Sequence, residues 1–170
     1  LLLILNGIFA MAEIAIISAR KSKLQQQENE GNKNAQSSLK FAKSPSRFLS
    51  TVQIGITLVG IFTGVFGGAT IAEYLTKQFQ AIPLIAPYSE LIALTLVVSV
   101  ITYFSLVIGE LVPKRIALSS PERIAMLVAR PMNKLSARGR PGVSLLSLST
   151  DWLLRMGGIK DASSPRIRDE

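Results

Sequence analysis

The stretch LIALTLVVSVITYFSLVIGELVPKR, residues 91–115, decides the fold, because it begins with an uncharged and mostly apolar run that ends only at Gly109. A run of that length matches what a helix needs to cross the hydrocarbon core of a bilayer. Glu110 follows at once, and Pro113 comes three residues later. An ionisable side chain in a membrane-length segment costs a few kcal/mol on insertion scales, so Glu110 needs a chemical reason to be there.

The composition is that of a membrane protein. The chain of 170 residues is 48% hydrophobic, with a mean hydropathy of +0.37, which is too apolar for an ordinary soluble domain of this size. It contains neither cysteine nor histidine, which excludes disulfides, thiolate and imidazole metal sites and histidine-based catalysis. No credible pair of nucleophile and base is present, so enzymatic activity is not expected.

Three segments are long and apolar enough to span a bilayer, at about residues 1–19, 48–76 and 90–113. Glu13 is the one charge that interrupts the first of them. The sequence therefore predicts an all-α membrane protein with three transmembrane helices, and we expect residues 1–118 to form a transmembrane domain in the lipid bilayer.

The net charge is +8, and the basic residues lie in two blocks, at residues 20–47 and 114–168, with Lys77 alone between them. This distribution is typical of cytoplasmic loops and not of a basic groove for nucleic acid, so no nucleic-acid partner is expected. The bias places the N-terminus outside and the C-terminus in the cytoplasm.

The remaining segments are predicted to lie on the cytoplasmic side. Residues 20–44 are polar and favour a helical hairpin that turns at Gly31. Residues 119–158 favour juxtamembrane helices at the interface, and residues 159–170 a linker toward cytosolic domains. The pairs Ser44-Pro45 and Ser120-Pro121 are typical helix starts. We expect the helix after Pro121 to carry its apolar side chains on one side: Ile124, Leu127 and Val128.

The chemistry is expected at Glu110. Pro113 has no backbone N–H, so the carbonyl of Gly109 loses its helical partner, and a proline-broken helix in a membrane requires protein or a water-filled cavity to satisfy the backbone. A carboxylate beside a freed carbonyl offers the hard oxygen ligands suited to Mg²⁺ or Na⁺. The alternative is that Glu110 lies at the cytoplasmic interface and pairs with Lys114 or Arg115.

Other polar residues are candidates for the same cavity. Glu13 lies on the first span, at a depth that we expect to be similar to that of Glu110, although it could instead pair with Lys21. Gln53 and Thr57 are one turn apart on the second span, so they share a face. Together with Gly109 and Glu110, these three residues are the predicted metal ligands or their electrostatic support.

The second span also carries a stripe of small residues. Gly60, Gly64 and Gly68 recur every four residues, which lets membrane helices approach closely. We assign them a packing role, and we expect a homodimer packed through the second and third spans.

Three stretches in register resemble the cyclin-M/CorC family of membrane proteins: FAMAEIAIISARKSKL (9–24), TVQIGITLVGIFTGVFGGAT (51–70) and GELVPKRIALSSPE (109–122). The resemblance implies three transmembrane helices with juxtamembrane helices, a homodimer, and a multi-pass location in the bacterial inner membrane. It also implies cytosolic nucleotide-binding domains of the cystathionine-β-synthase type after residue 170. The implied activity is Mg²⁺ export, coupled to Na⁺.

The resemblance assigns the family's motif glutamates to Glu110 and Glu13 and its kinking proline to Pro113. The chain departs from Mg²⁺-binding members at neutral ligand positions, where serine and asparagine are replaced by Ala10, Ala12 and Ile56. Because the motif glutamates and the proline are present, the leading hypothesis is nevertheless a divalent-cation exporter domain for Mg²⁺. The alternatives are export of organic polycations such as diamines, and a membrane scaffold or sensor with a vestigial cavity.

The predicted topology can be tested by cysteine labelling. A cysteine at Ala81 should react with a membrane-impermeant thiol reagent from outside, because this turn lies between the second and third spans. A cysteine at Lys33 should react only from the cytoplasmic side. The reverse accessibility would overturn the orientation that the basic blocks predict.

Overall fold

The computed structural model describes residues 1–157, which are almost entirely helical and contain no strand. The all-α fold is thereby confirmed, while the linker predicted at residues 159–170 lies outside the described residues. The helices in chain order are α1 (Leu2–Ser18), α2 (Lys21–Asn29), α3 (Lys33–Lys43), α4 (Pro45–Phe62), α5 (Ala69–Gln80), α6 (Ser89–Leu106), α7 (Val112–Ser119), α8 (Pro121–Arg138) and α9 (Arg140–Met156).

Two pairs of these helices form continuous rods through a π-helical turn. Thr63–Gly68 joins α4 to α5, and Val107–Leu111 joins α6 to α7. The resulting helices, Phe48–Gln80 and Ala86–Ser119, have 33 and 34 residues and are long and apolar enough to cross a membrane. The first segment is different, because α1 meets the criterion only together with α2, from which it is bent by 91°. Within the described residues there are thus two spans, or three if this bent pair counts as one.

Helix α1 is the centre of the packing, since α4, α7, α8 and the second π-turn all contact it. The buried core lies between α1, the α2–α3 hairpin, α4 and α8, with Ile16, Leu24 and Phe48 at most 2% exposed. In contrast, most large apolar side chains of α5 and α6 are exposed, as expected for helices that face lipid. The described chain therefore has a protein-like core around α1, the α2–α3 hairpin, α4 and α8, and a thin part formed by α5 and α6 that exposes apolar side chains.

The hairpin of α2 and α3 turns at Gly31, which has a φ of 86°. This left-handed conformation favours glycine, because other residues meet a Cβ clash there. The next residue, Asn32, caps α3 by accepting hydrogen bonds from the N–H groups of Asn34 and Ala35. The turn directs α3 back onto α8.

Helices α4 and α8 begin where the serine–proline pairs predict. Ser44 and Ser120 are the N-cap residues, although neither hydroxyl makes a capping hydrogen bond. Within α8, Leu127 is 68% exposed, whereas Val128 is buried. The buried face follows a spacing of four residues through Ile124, Val128 and Met132, and Leu127 lies about 100° away from Val128 around the helix.

An ion pair fixes the start of α8 against the end of α1. The Arg20 Nε lies 3.0 Å from the Glu122 Oε1, and the Glu122 side chain is only 15% exposed. Burial raises the pKa of Glu122, but the hydrogen bond from Arg20, backbone hydrogen bonds and the charge of Lys23 outweigh it and leave this pKa below its usual value. The ionised form also lies favourably in the first turn of α8.

Replacing Glu122 by glutamine should lower the free energy of unfolding by up to about 1 kcal/mol at pH 7, since Arg20 is largely exposed. A lowered pKa gives stability that is present above the ordinary value of 4.5 and is lost as the pH falls through the folded-state pKa. Wild type and Glu122→Gln should therefore converge in acid. Denaturation in detergent at neutral pH and below the folded-state pKa measures this, and a constant difference at both would contradict it.

Candidate functional site

The site forms where the third span accommodates Pro113. The sequence predicts a broken helix here, but the helix continues through Ala86–Ser119. The π-turn Val107–Leu111 directly precedes the turn that contains Pro113 and lets the helix continue past it. In this turn the N–H of Val112 bonds to the carbonyl of Val107, five residues back. The missing N–H of Pro113 would have reached Gly109 in α-helical register or Ile108 in π-helical register. A carbonyl on this face therefore has to find a partner outside the helix.

Helix α1 approaches this face closely because two glycines lie at the contact. A Cβ added to Gly7 would lie 2.8 Å from Cγ of Pro113 and 3.0 Å from the carbonyl oxygen of Ile108. A Cβ added to Gly109 would lie 3.1 Å from Nδ2 of Asn6. The two backbones are thus in direct contact, and the contact fixes α1 relative to the π-turn.

The carbonyl of Gly109 has a partner that sequence reasoning missed. Nδ2 of Asn6 donates a hydrogen bond to this oxygen at 3.2 Å. The freed carbonyl was predicted, but it is held by α1 and does not open directly into a cavity. The sequence feature that could have predicted this contact is an amide side chain in the apolar first span, because polar side chains in membrane helices often hydrogen-bond to another helix.

Glu110 forms an ion pair one turn along the same helix. Its Oε1 accepts from Nζ of Lys114 at 2.5 Å, and the two side chains are 43% and 30% exposed. This is the pairing that the alternative interpretation of Glu110 predicts. The carboxylate is therefore neutralised, yet a second cation can still reach it.

The depth of this pair differs from that of an interfacial ion pair. Gly7 contacts Pro113, and α1 continues from there to Ser18, two residues before Arg20, which pairs with Glu122. At 1.5 Å per residue Gly7 is about 16 Å from the end of α1. Glu13 is the only charged residue of α1 between them. Glu110 and Lys114 thus lie beside the apolar part of α1 and away from the cluster of charges at its end.

Glu13 and Glu110 are not at the same level. Glu13 lies six residues beyond Gly7 toward Arg20, while Glu110 precedes Pro113 by three residues on the parallel helix. The two carboxylates are consequently about 13 Å apart along the helix axes. Glu13 is half-buried in α1, next to the fully buried Ala12. Its effect on a cation at Glu110 is long-range.

Gln53 and Thr57 face another part of the molecule. Both are exposed and line a groove of about 530 Å³ with Leu146 and Thr150 of α9. Between them Gly55 contacts the ring of Phe9 on α1. A step of two residues turns a helix by 200°, so Gln53 and Thr57 point away from α1. Within one chain they are therefore not arranged around the same ion as Glu110.

The three positions at which the family resemblance implies neutral ligands are apolar here and face inward. Ala10 is 1% and Ala12 is 0% exposed, and Ile56 packs against the core. Residues 1–157 also contain no group of three or more carboxylates close enough to hold a metal ion. A cation at Glu110 therefore has few side-chain ligands within this chain.

The three glycines assigned to packing have different surroundings. A Cβ at Gly68 would lie 3.8 Å from Cδ1 of Ile101, so this glycine packs against α6. Apart from the chain neighbours and nearby backbone of the same helix, no atom of the described residues lies within 4 Å of a Cβ at Gly60 or Gly64. These two glycines leave an open face on the second span.

The arrangement agrees with a known family of membrane domains. The profile described as the cyclin M transmembrane N-terminal domain matches residues 1–170. The chain belongs to this family. The cyclin M assignment confirms the resemblance that the three sequence stretches indicate, and it identifies the chain as a transmembrane domain.

Relatives support the same assignment over nearly the whole chain. The UPF0053 protein sll0260 of Synechocystis is 52% identical over 99% of this chain, and the UPF0053 protein YhdP of Bacillus subtilis is 33% identical over 98%. A protein named polyamine export protein in Haemophilus influenzae is 35% identical over 78% of it. The cyclin M domain described here spans only 38%, 37% and 30% of these three proteins.

The close approach at Gly7 predicts that an alanine there destabilises the fold, and Gly64 provides the control position. Gly7→Ala should lower the free energy of unfolding by about 1–3 kcal/mol, because the ring of Pro113 and a backbone oxygen must shift. Gly64→Ala should be neutral or stabilising by up to about 1 kcal/mol, because its surroundings in the chain are open. Unfolding with increasing denaturing detergent measures both. Equal stability of the two variants would contradict the proposed contact.

Proposed function

We propose that this domain is the membrane part of a cation exporter in which Glu110 binds the cation and Mg²⁺ is the cargo. The observation that carries the proposal is the Glu110–Lys114 ion pair, which lies beside the apolar part of α1 and joins the π-turn, through Glu110, to the first turn of α7. Charged pairs in such surroundings are costly, and in membrane proteins they commonly mark ion pathways.

The pair gives Glu110 two states. In the empty state the Lys114 ammonium neutralises the carboxylate, which lowers the cost of keeping it within the membrane. An entering cation competes with this ammonium for the same oxygens. Lys114 is suited to release, because its ammonium is a compact charge on a flexible stem. Cation binding is therefore an exchange of one positive charge for another.

The ligands around Glu110 favour a small, hard cation. Its carboxylate is adjacent in sequence to the carbonyl of Gly109, and carboxylate, carbonyl and water oxygens are the ligands that Mg²⁺ prefers. Because Ala10, Ala12 and Ile56 supply no oxygen, the ion keeps several waters. Glu13 adds negative charge about 13 Å away along the helix axes. Export against a gradient requires a driving ion, and Na⁺ is the proposed one.

Replacing Glu110 by glutamine should abolish Mg²⁺ binding and export while the protein still folds, because shape is kept and a membrane charge is removed. Lys114→Met should raise the affinity for Mg²⁺, because the competing ammonium is gone. A matched control exists in Glu73 and Lys77, which form an exposed ion pair of the same spacing at 2.9 Å. Glu73→Gln and Lys77→Met should leave Mg²⁺ affinity unchanged.

Isothermal titration in detergent and flux into proteoliposomes measure these effects, with and without a Na⁺ gradient. Undiminished Mg²⁺ binding and flux in Glu110→Gln would exclude Glu110 as the site. A flux that is the same with and without the Na⁺ gradient would exclude Na⁺ coupling only. No flux of any cation in the wild type would favour a scaffold or sensor.

Export of an organic polycation such as a diamine is the second candidate. Glu110 already binds an alkylammonium group, that of Lys114, and a diamine offers the same chemistry. Ala10, Ala12 and Ile56 supply no oxygen ligand, which a dehydrated Mg²⁺ needs and a diamine does not. The polyamine export protein of Haemophilus influenzae is a relative. Titration of the wild type with Mg²⁺ and with 1,4-diaminobutane separates the two cargoes.

The assembly belongs to the same proposal. We expect a homodimer in the bacterial inner membrane, with Gly60 on α4 and Gly64 in the following π-turn available for contact with a second copy. We also expect cytosolic nucleotide-binding domains of the cystathionine-β-synthase type in the full-length protein.

A further inference from the structure

Asn6 has an unusual side chain, because only one end of its amide is used. Nδ2 donates to the carbonyl of Gly109, whereas Oδ1 is buried and has no hydrogen-bond partner among the described residues. Buried side-chain oxygens are normally hydrogen-bonded, and an exception calls for an explanation. Here the unused oxygen belongs to the side chain that holds the proposed carbonyl ligand.

Position 109 has little room for a residue larger than glycine. A Cβ at Gly109 would lie 3.1 Å from Nδ2 of Asn6, 3.5 Å from its Cβ and 3.5 Å from the carbonyl oxygen of Leu3. The glycine therefore lets the amide reach the backbone of the π-turn directly. The contact is between the amide and a carbonyl that Pro113 deprives of a helical partner.

An amide can present either a donor or an acceptor at the same place. Rotation of the Asn6 amide by a half turn exchanges Nδ2 for Oδ1, which would place two oxygens beside each other where a donor and an acceptor now lie 3.2 Å apart. Two facing oxygens repel each other unless a cation lies between them. Adjacent ligands of an octahedral Mg²⁺ at 2.0–2.1 Å are about 2.9 Å apart, a few tenths of an ångström less than this separation.

From this geometry we infer that Asn6 is a second neutral ligand of the cation, which alternates between two states. In the empty state its amide donates to Gly109 and closes the carbonyl. In the loaded state the amide turns, and Oδ1 binds the divalent cation together with the Gly109 carbonyl and Glu110. The inference rests on the proposed function, and it adds an oxygen ligand from α1 to a site whose other neutral positions are apolar.

The ligand role predicts a selective loss. Asn6→Leu, which removes both donor and acceptor, should lower the Mg²⁺ affinity of the full chain at least about tenfold. It should change the affinity for 1,4-diaminobutane less than about threefold, because an ammonium ligand needs no amide oxygen beside Gly109. Asn6→Asp should restore Mg²⁺ affinity, since it keeps an oxygen ligand. A purely structural amide predicts that Asp and Leu are equally harmful.

Asn34 provides the matched control. Its Oδ1 is also buried without a partner among the described residues, but it lies on α3 of the cytoplasmic hairpin. Asn34→Leu should leave Mg²⁺ affinity unchanged. Size-exclusion chromatography and thermal unfolding monitor the fold of each variant. If Asn6→Leu does not fold, Asn6→Ala gives the same comparison without added bulk.

Isothermal titration of these variants with Mg²⁺ decides the inference. Wild-type affinity in Asn6→Leu, or equal weakness of Asn6→Leu and Asn6→Asp, overturns it. If Glu110→Gln loses Mg²⁺ binding in either case, the proposed function stands and only the role of Asn6 fails. If Glu110→Gln binds Mg²⁺ normally, or the wild type binds none, the proposed Mg²⁺ site and the role of Asn6 fail together.

Discussion

The missing N–H of Pro113 is the constraint on which the rest of the site depends. It leaves a backbone carbonyl without a helical partner in a segment where water is scarce, and such a group must be satisfied by protein. The π-turn keeps the helix continuous, and the amide of Asn6 on α1 donates a hydrogen bond to the carbonyl of Gly109. The proline thereby determines both the local helix geometry and the position of α1.

A second constraint is the charge at Glu110. The Glu110–Lys114 ion pair has the spacing of an ordinary surface pair, and the Glu73–Lys77 pair shows the same spacing in an exposed position. Depth distinguishes them, because the first pair lies beside apolar residues of α1. An exposed pair contributes little to stability, whereas a pair within the membrane must offset the desolvation of both charges. The same sequence spacing thus has different energetic consequences in the two places.

The sequence was sufficient for the fold class and the chemistry of Pro113, because apolar length and a missing N–H are local properties. It was also sufficient for the turn at Gly31, where a positive φ requires glycine. It was insufficient for Asn6, since only the structure shows that residues 103 positions apart are neighbours. It was also insufficient for the burial of Leu127, which depends on which face of α8 meets α1 and α3. Gln53 and Thr57 share a face, as predicted, but that face points away from α1, and the direction of a face is a tertiary property.

The burial of Ala10, Ala12 and Ile56 bears on how a cation is recognised. If the interior between α1 and α4 were the only source of neutral ligands, Glu110 would distinguish cations by charge alone, and a diamine and Mg²⁺ would compete on similar terms. An amide on the opposite side of the site changes this balance, because an oxygen ligand favours a compact divalent ion over an alkylammonium group. If Asn6 is the ligand that we infer, selectivity depends on whether its amide turns its oxygen or its nitrogen toward Gly109, and not on the number of carboxylates.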